Sequence, residues 1–134
     1  MKLTFSFSKK IIMHKRQEHE FPQCYTEWGW KYHHVGIPTK VKMADERYLP
    51  QFKFFVSGFP DSPFGVEWMR FDKECEMHPL IQTVPHLAFV VEDLEYELAN
   101  RDLELLIEPN PPMEGVRVAM VVHNNAPIEL MEFE

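Results

Sequence analysis

His86-Leu87-Ala88-Phe89 repeats, residue type for residue type, what His34-Val35-Gly36-Ile37 spells 52 positions earlier (86 minus 34). Each stretch is a histidine, a large apolar residue, a small residue and another apolar residue. A second echo lies further on: Glu67-Trp68-Met69-Arg70-Phe71 and Glu129-Leu130-Met131-Glu132-Phe133 both fit Glu-apolar-Met-charged-Phe, 62 positions apart (129 minus 67). Two paired echoes in the same order indicate a duplicated unit. Side chains alternate across a strand, so His34 and Gly36 share one face while Val35 and Ile37 take the other. His86 and Ala88 oppose Leu87 and Phe89 in the same way. The large apolar pair packs under a helix, and the small residue leaves room beside each histidine. With Trp68 and Leu130 also turned towards helices, Glu67 and Glu129 join the histidine face. A pseudo-twofold then brings two imidazoles and two carboxylates together.

The text around these echoes supplies the elements. Tyr32 to Thr39 reads as a strand ended by Pro38, Val41 to Leu49 as a short helix closed by Pro50, and Gln51 to Gly58 and Phe64 to Phe71 as strands separated by a turn. Residues 72–83 form a linker. Then Pro85 to Val91 is a strand, Asp93 caps a helix through about Arg101, and Leu103 to Ile107 is a strand ended by the Pro109 to Pro112 turn. Val116 to His123 and Ile128 to Phe133 are joined at Asn124-Asn125-Ala126-Pro127. The expected division is 1–29, an N-terminal strand and connector; 30–77, a first βαββ module; and 78–134, a second βαβββ module. This alternation places the chain in the α+β or mixed α/β class. At the start, Leu3, Phe5 and Phe7 alternate with polar residues, the period of a half-buried strand that can add to a sheet edge in this subunit or a neighbour.

Composition bounds the function. The 134 residues suit one domain or two small modules sharing a core, and 45% apolar content is enough to fill it. The formal charge of −7, with 21 acidic against 14 basic residues and no Lys/Arg stripe, excludes nucleic acid as the expected partner. Cys24 and Cys75 form neither a disulfide framework nor a CxxC pair, which suits reduced thiols in the cytoplasm. Residues 1–10 are too polar for a secretory signal, and no run nears the roughly 20 apolar residues that cross a bilayer. The reading is a cytoplasmic protein with a small-molecule substrate, no membrane partner, and a homodimer as its assembly.

His34, Glu67, His86 and Glu129 make a 2-His-2-carboxylate set suited to a divalent Zn, Ni, Co or Fe ion. Four protein ligands on an octahedral ion leave two positions for water or substrate oxygens. Competing residues are placed elsewhere. Parity sends His33 to the opposite face and makes Glu132 a solvated charge. His14, His19 and His78 lie in loops. His123 ends a strand near the cavity, and Arg117 is either a substrate-carboxylate binder or an exposed arginine. Met69, Met131, Phe71 and Phe133 share the glutamates' parity and either wall a pocket or pack the core. No nucleophile elbow, P-loop or dinucleotide fingerprint is present.

The motifs His34-Val35-Gly36-Ile37, His86-Leu87-Ala88-Phe89 and Ile128-Glu129-Leu130 resemble the vicinal oxygen chelate superfamily of glyoxalases, methylmalonyl-CoA epimerases, extradiol dioxygenases and bleomycin-resistance proteins. The resemblance covers roughly residues 30–134. It implies paired βαβββ modules forming a U-shaped mixed sheet around a metal, with helices on the outer face and ligands on the first and last strands of each module. It further implies a metal-dependent lyase or isomerase of the glyoxalase or epimerase type. Such an enzyme chelates two neighbouring substrate oxygens and passes through an enediolate, with Glu67 or Glu129 doubling as the base. A metal-dependent dioxygenase, in which Glu67 is not a ligand, and a non-catalytic binding protein of the resistance type are the alternatives. Two departures are visible. His34 to Glu67 spans 33 residues against 43 from His86 to Glu129, as if a strand of the first module were missing or replaced by Leu3 to Phe7. The Asn124 to Pro127 turn also lacks the Asp-Pro-x-Gly often found before the last strand.

Overall fold

The structure, a computed structural model, describes residues 13–134; the strand expected at Leu3 to Phe7 lies outside the described residues. A short helix α1 (Gln23–Thr26) precedes four strands, β1 (Lys31–Pro38), β2 (Arg47–Leu49), β3 (Phe54–Ser57) and β4 (Val66–Phe71). Then come α2 (Pro79–Thr83), β5 (His86–Val90), α3 (Leu94–Asn100), β6 (Glu104–Met113), β7 (Val116–His123) and β8 (Ala126–Phe133). All eight strands join one mixed sheet in the order β2-β3-β4-β1-β5-β8-β7-β6. The order is a palindrome of two four-stranded halves meeting at the antiparallel pair β1 and β5. In each half the first and last strands run parallel, β1 with β4 and β5 with β8. The two registers match: Gly36 lies opposite Glu67 and Ala88 opposite Glu129.

The ten-residue deficit of the first half (43 minus 33) is therefore not a lost strand. What is missing is the helix. The expected helix from Val41 to Leu49 is replaced by a connector and by β2, and the reason is non-local. Glu46 receives two hydrogen bonds from Arg70, at 2.6 and 2.7 Å, and a third from the Met43 N–H. Arg47 to Leu49 pair with Phe54 to Val56. A nine-residue helix is marginal in water, and strand pairing with a bidentate ion pair outweighs it. In the second half the helix is present, with the Asp93 carboxylate accepting from the Tyr96 N–H as its N-cap.

Two other boundaries differ from expectation. β6 continues through Pro109, Pro111 and Pro112 instead of ending at a turn. It is the edge strand, and its pairing with β7 shifts register repeatedly, so the missing N–H groups interrupt no continuous ladder. The linker at 72–83 holds α2, capped by His78, whose Nδ1 accepts from the Leu80 N–H. The β7–β8 hairpin turns as expected on Asn124 and Asn125, both at positive φ, the conformation that a two-residue hairpin loop demands.

The sheet separates two environments. On its outer face Trp30, Val91, Leu94, Ala119, Val121 and Leu130 form a buried cluster under α3. The Trp30 indole donates to Glu97 at 2.8 Å, and Arg101 pairs with the same carboxylate at 3.1 Å. On the same outer face of β5, Leu87 is 46% exposed. The inner face curls around a cavity lined from all eight strands. The β2–β3 turn reaches the opposite edge, where Gln51 Nε2 donates to the Pro112 carbonyl at 2.9 Å. No helix among the described residues is long and apolar enough to cross a membrane.

Candidate metal centre

The central strand pair sets the histidines. His34 on β1 lies opposite Ala88 on β5, and His86 on β5 lies opposite Gly36 on β1. Each ring thus rests over the small residue of the other half. The imidazoles face each other edge to face with centroids 5.6 Å apart, both buried. Neighbouring parallel strands bring the carboxylates alongside. Glu129 Oε1 is 3.1 Å from His86 Nε2 and 3.3 Å from His34 Nε2, while Glu67 Oε1 is 3.7 Å from His34 Nε2. His34, His86 and Glu129 each offer a donor atom within 4.8 Å of the others. Glu67 stands just outside that triad, on the same face.

Electrostatics divide the two carboxylates. Burial raises Glu67, and the neighbouring Glu129 charge adds to that against the attraction of His34 and His86. Burial also acts to raise Glu129, but the two imidazoles beside it, His86 through a hydrogen bond and both through charge, overcome it and hold its carboxyl at about 2. Burial opposes a charged His34, yet Glu129 and Glu67 beside it prevail and its pKa is raised.

The donor set fits a divalent cation. His34 Nε2 is buried with no hydrogen-bond partner, although Glu129 Oε1 is close by; the distance is short but the angle is not that of a hydrogen bond. Such an orphaned nitrogen is costly unless something electropositive meets its lone pair. His34, His86 and Glu129 would hold the ion, with Glu67 in reach; two imidazoles and a carboxylate suit a borderline divalent metal.

Sequence parity placed His33 on the opposite face, and the structure corrects this. Tyr32 pairs with Phe89 and His34 with Ala88, so β1 carries one extra residue there, a β-bulge. The bulge turns His33 into the cavity, where its Nδ1 lies 2.7 Å from His34 Nδ1 and its ring packs on Phe59 and Phe133. Burial and the adjacent His34 lower its pKa. Glu132 does face outward, but it is not simply solvated: it accepts from the Leu94 N–H at the start of α3 and pairs with Arg117, which also bonds Glu95. Arg117 and His123 take no part in lining the cavity. Met69, Met131 and Phe133 do line it, and Phe71 packs against Phe54 in the core. Met77 and Ile81 also line it from a loop and α2, positions with no periodic signal in the sequence, and Phe52 does so from a turn, since the strand expected from Gln51 begins only at Phe54.

No family model matches the sequence, and no curated protein matches it significantly. Solved structures do. A hypothetical protein from Bacillus halodurans C-125 superposes with a TM-score of 0.60 at 19% identity, over 78% of this chain and 95% of that one. Methylmalonyl-CoA epimerase from Mycobacterium tuberculosis superposes with a TM-score of 0.54 at 18% identity, over 78% of this chain and 88% of that one. The chain has a glyoxalase-like fold. At these identities the likeness speaks for architecture. Within this glyoxalase-like fold the paired halves, the curled mixed sheet and the concave face bearing the histidines agree with the α+β class read from the sequence.

Proposed function

We propose that the protein is a metal-dependent lyase or isomerase of the glyoxalase or epimerase type, acting on a small substrate with neighbouring oxygens. One observation carries the reading: His34 Nε2, buried and without a hydrogen-bond partner, converges with His86 and Glu129 on one spot in a cavity. A divalent ion bound there supplies Lewis-acid polarisation of two oxygens. The chain's own groups then divide the remaining work. Glu129, held at about 2, stays a carboxylate and serves as ligand. Glu67, raised by burial and outside the triad, is the group suited to take a proton from carbon beside a carbonyl and to return it. Fold likeness to the epimerase supports this class of chemistry without naming its substrate.

Elemental analysis of purified protein supplemented with Ni, Co, Zn or Fe tests the centre. Near-stoichiometric metal, lost in both His34→Ala and His86→Ala, is expected; wild-type protein that stays empty with all four overturns it. Proton exchange into a hydroxyketone in D2O, followed by NMR, tests the base. Glu67→Gln is expected to keep the metal and lose the exchange.

A second reading has its own observation. His34, His86 and Glu129 alone form a 2-His-1-carboxylate group of the kind that binds non-haem Fe(II), which suits a dioxygenase in which Glu67 is not a ligand. Oxygen uptake by the Fe(II)-loaded protein with a catechol present favours that reading; its absence alongside proton exchange rejects it.

A further inference from the structure

The cavity has two chemically distinct ends. It measures about 330 Å³. Its polar groups gather at the His33, His34, His86, Glu67 and Glu129 end, and beyond them, apart from Arg47 and Asn110, the wall is hydrocarbon and thioether. Met69, Met77, Met113, Met120 and Met131 line it, five of the chain's eight methionines, together with four phenylalanines. Among the described lining residues, Arg47 on the edge strand β2 carries the one permanent positive charge.

We propose that the ligand of this site is an uncharged small molecule with a pair of neighbouring oxygens at one end and an apolar body at the other. The oxygen end rests on the metal-centre reading; the apolar body does not, since it follows from the wall alone. A phosphate, a carboxylate or a nucleotide handle would lose water against methionine and phenylalanine, a loss that a buried charge recovers only from close partners, and Arg47, exposed on the edge strand, is the one permanent cation among the described lining residues. An alkyl or aryl body gains by leaving water. Unbranched methionine side chains re-pack around different shapes, so the body is selected by polarity and size more than by outline. The volume lies at the lower end of the range for small-molecule sites, so the part of the ligand held inside is small.

A shape-matched pair of probes decides this: α-hydroxyacetophenone carrying a 4-isopropyl or a 4-carboxylate group, titrated calorimetrically into the full chain with zinc and after chelation. The isopropyl probe is expected to bind at least tenfold more tightly than the carboxylate in both states, with a negative heat-capacity change. Met113→Glu, at a half-exposed position on the cavity rim, is expected to weaken the isopropyl probe by a similar factor. Equal or tighter binding of the carboxylate probe overturns the proposal, as does binding of neither probe. The chelated protein separates the two readings: a surviving isopropyl preference there upholds the apolar body even if elemental analysis finds no metal.

Discussion

The His86 ring occupies the space that a Cβ on Gly36 would fill: a methyl built there stands 2.2 Å from His86 Cε1. Glycine at position 36 is thus a packing requirement of the opposing half, not a backbone one. His86 is 3% exposed and hydrogen-bonded to Glu129, so it has little freedom to retreat. Gly36→Ala is expected to cost roughly 1–3 kcal/mol by overpacking and to displace the imidazole. Urea denaturation and metal uptake read the two effects, and unaltered values for both would show that the ring moves aside freely.

Acid is expected to destabilise the metal-free protein through Glu129. Its folded pKa of about 2 lies below the ordinary 4.5, so its contribution is complete above 4.5 and is lost as pH falls towards 2. His34 is raised above 6.5, so its contribution is complete below 6.5 and fades as pH climbs through the raised value. The Glu129–His34 pair therefore stabilises most between 4.5 and 6.5. Denaturation across pH 2 to 8, wild type minus Glu129→Gln, is expected to give a difference curve that peaks in that window.

Glu97 anchors the outer core. It is 5% exposed and receives hydrogen bonds from Trp30 and Arg101. Glu97→Ala leaves the indole N–H and the guanidinium without their acceptor, an expected loss of roughly 3 kcal/mol. Glu97→Gln keeps an acceptor for Trp30 and is expected to lose less. Chemical denaturation ranks the two variants, and equal losses would count against the Trp30 bond.

His33 touches His34 nitrogen to nitrogen, so one ring must donate to the other. If His34 offers Nε2 to a metal, its Nδ1–H donates to His33, the kind of outer contact worth about 10–100-fold in metal affinity. His33→Ala is expected to weaken zinc binding by that order in competition with a chelator, and unchanged affinity would leave His33 as cavity wall only.

The strands carrying the site were legible because both halves obey one parity rule: His34 with Gly36, His86 with Ala88, and a glutamate in register beside each small residue. Where the sequence misled, the deciding contact was distant or local order broke. Val41 to Leu49 has a helical look, yet Glu46 answers to Arg70, 24 positions away. His33 obeys alternation on paper and escapes it through a bulge that no residue type announces. Three prolines near 110 read as a turn because sequence does not say which strand will be the edge.

The absent helix has a practical sequel. Since β1 and β4 are direct neighbours, the spacing of His34 from Glu67 is fixed across the ladder and owes nothing to the chain's path between β1 and β2. Residues 40–42 are exposed on that path. A reporter peptide spliced between Val41 and Lys42 would ride outside the sheet, giving engineers a handle on the molecule that leaves its concave side untouched.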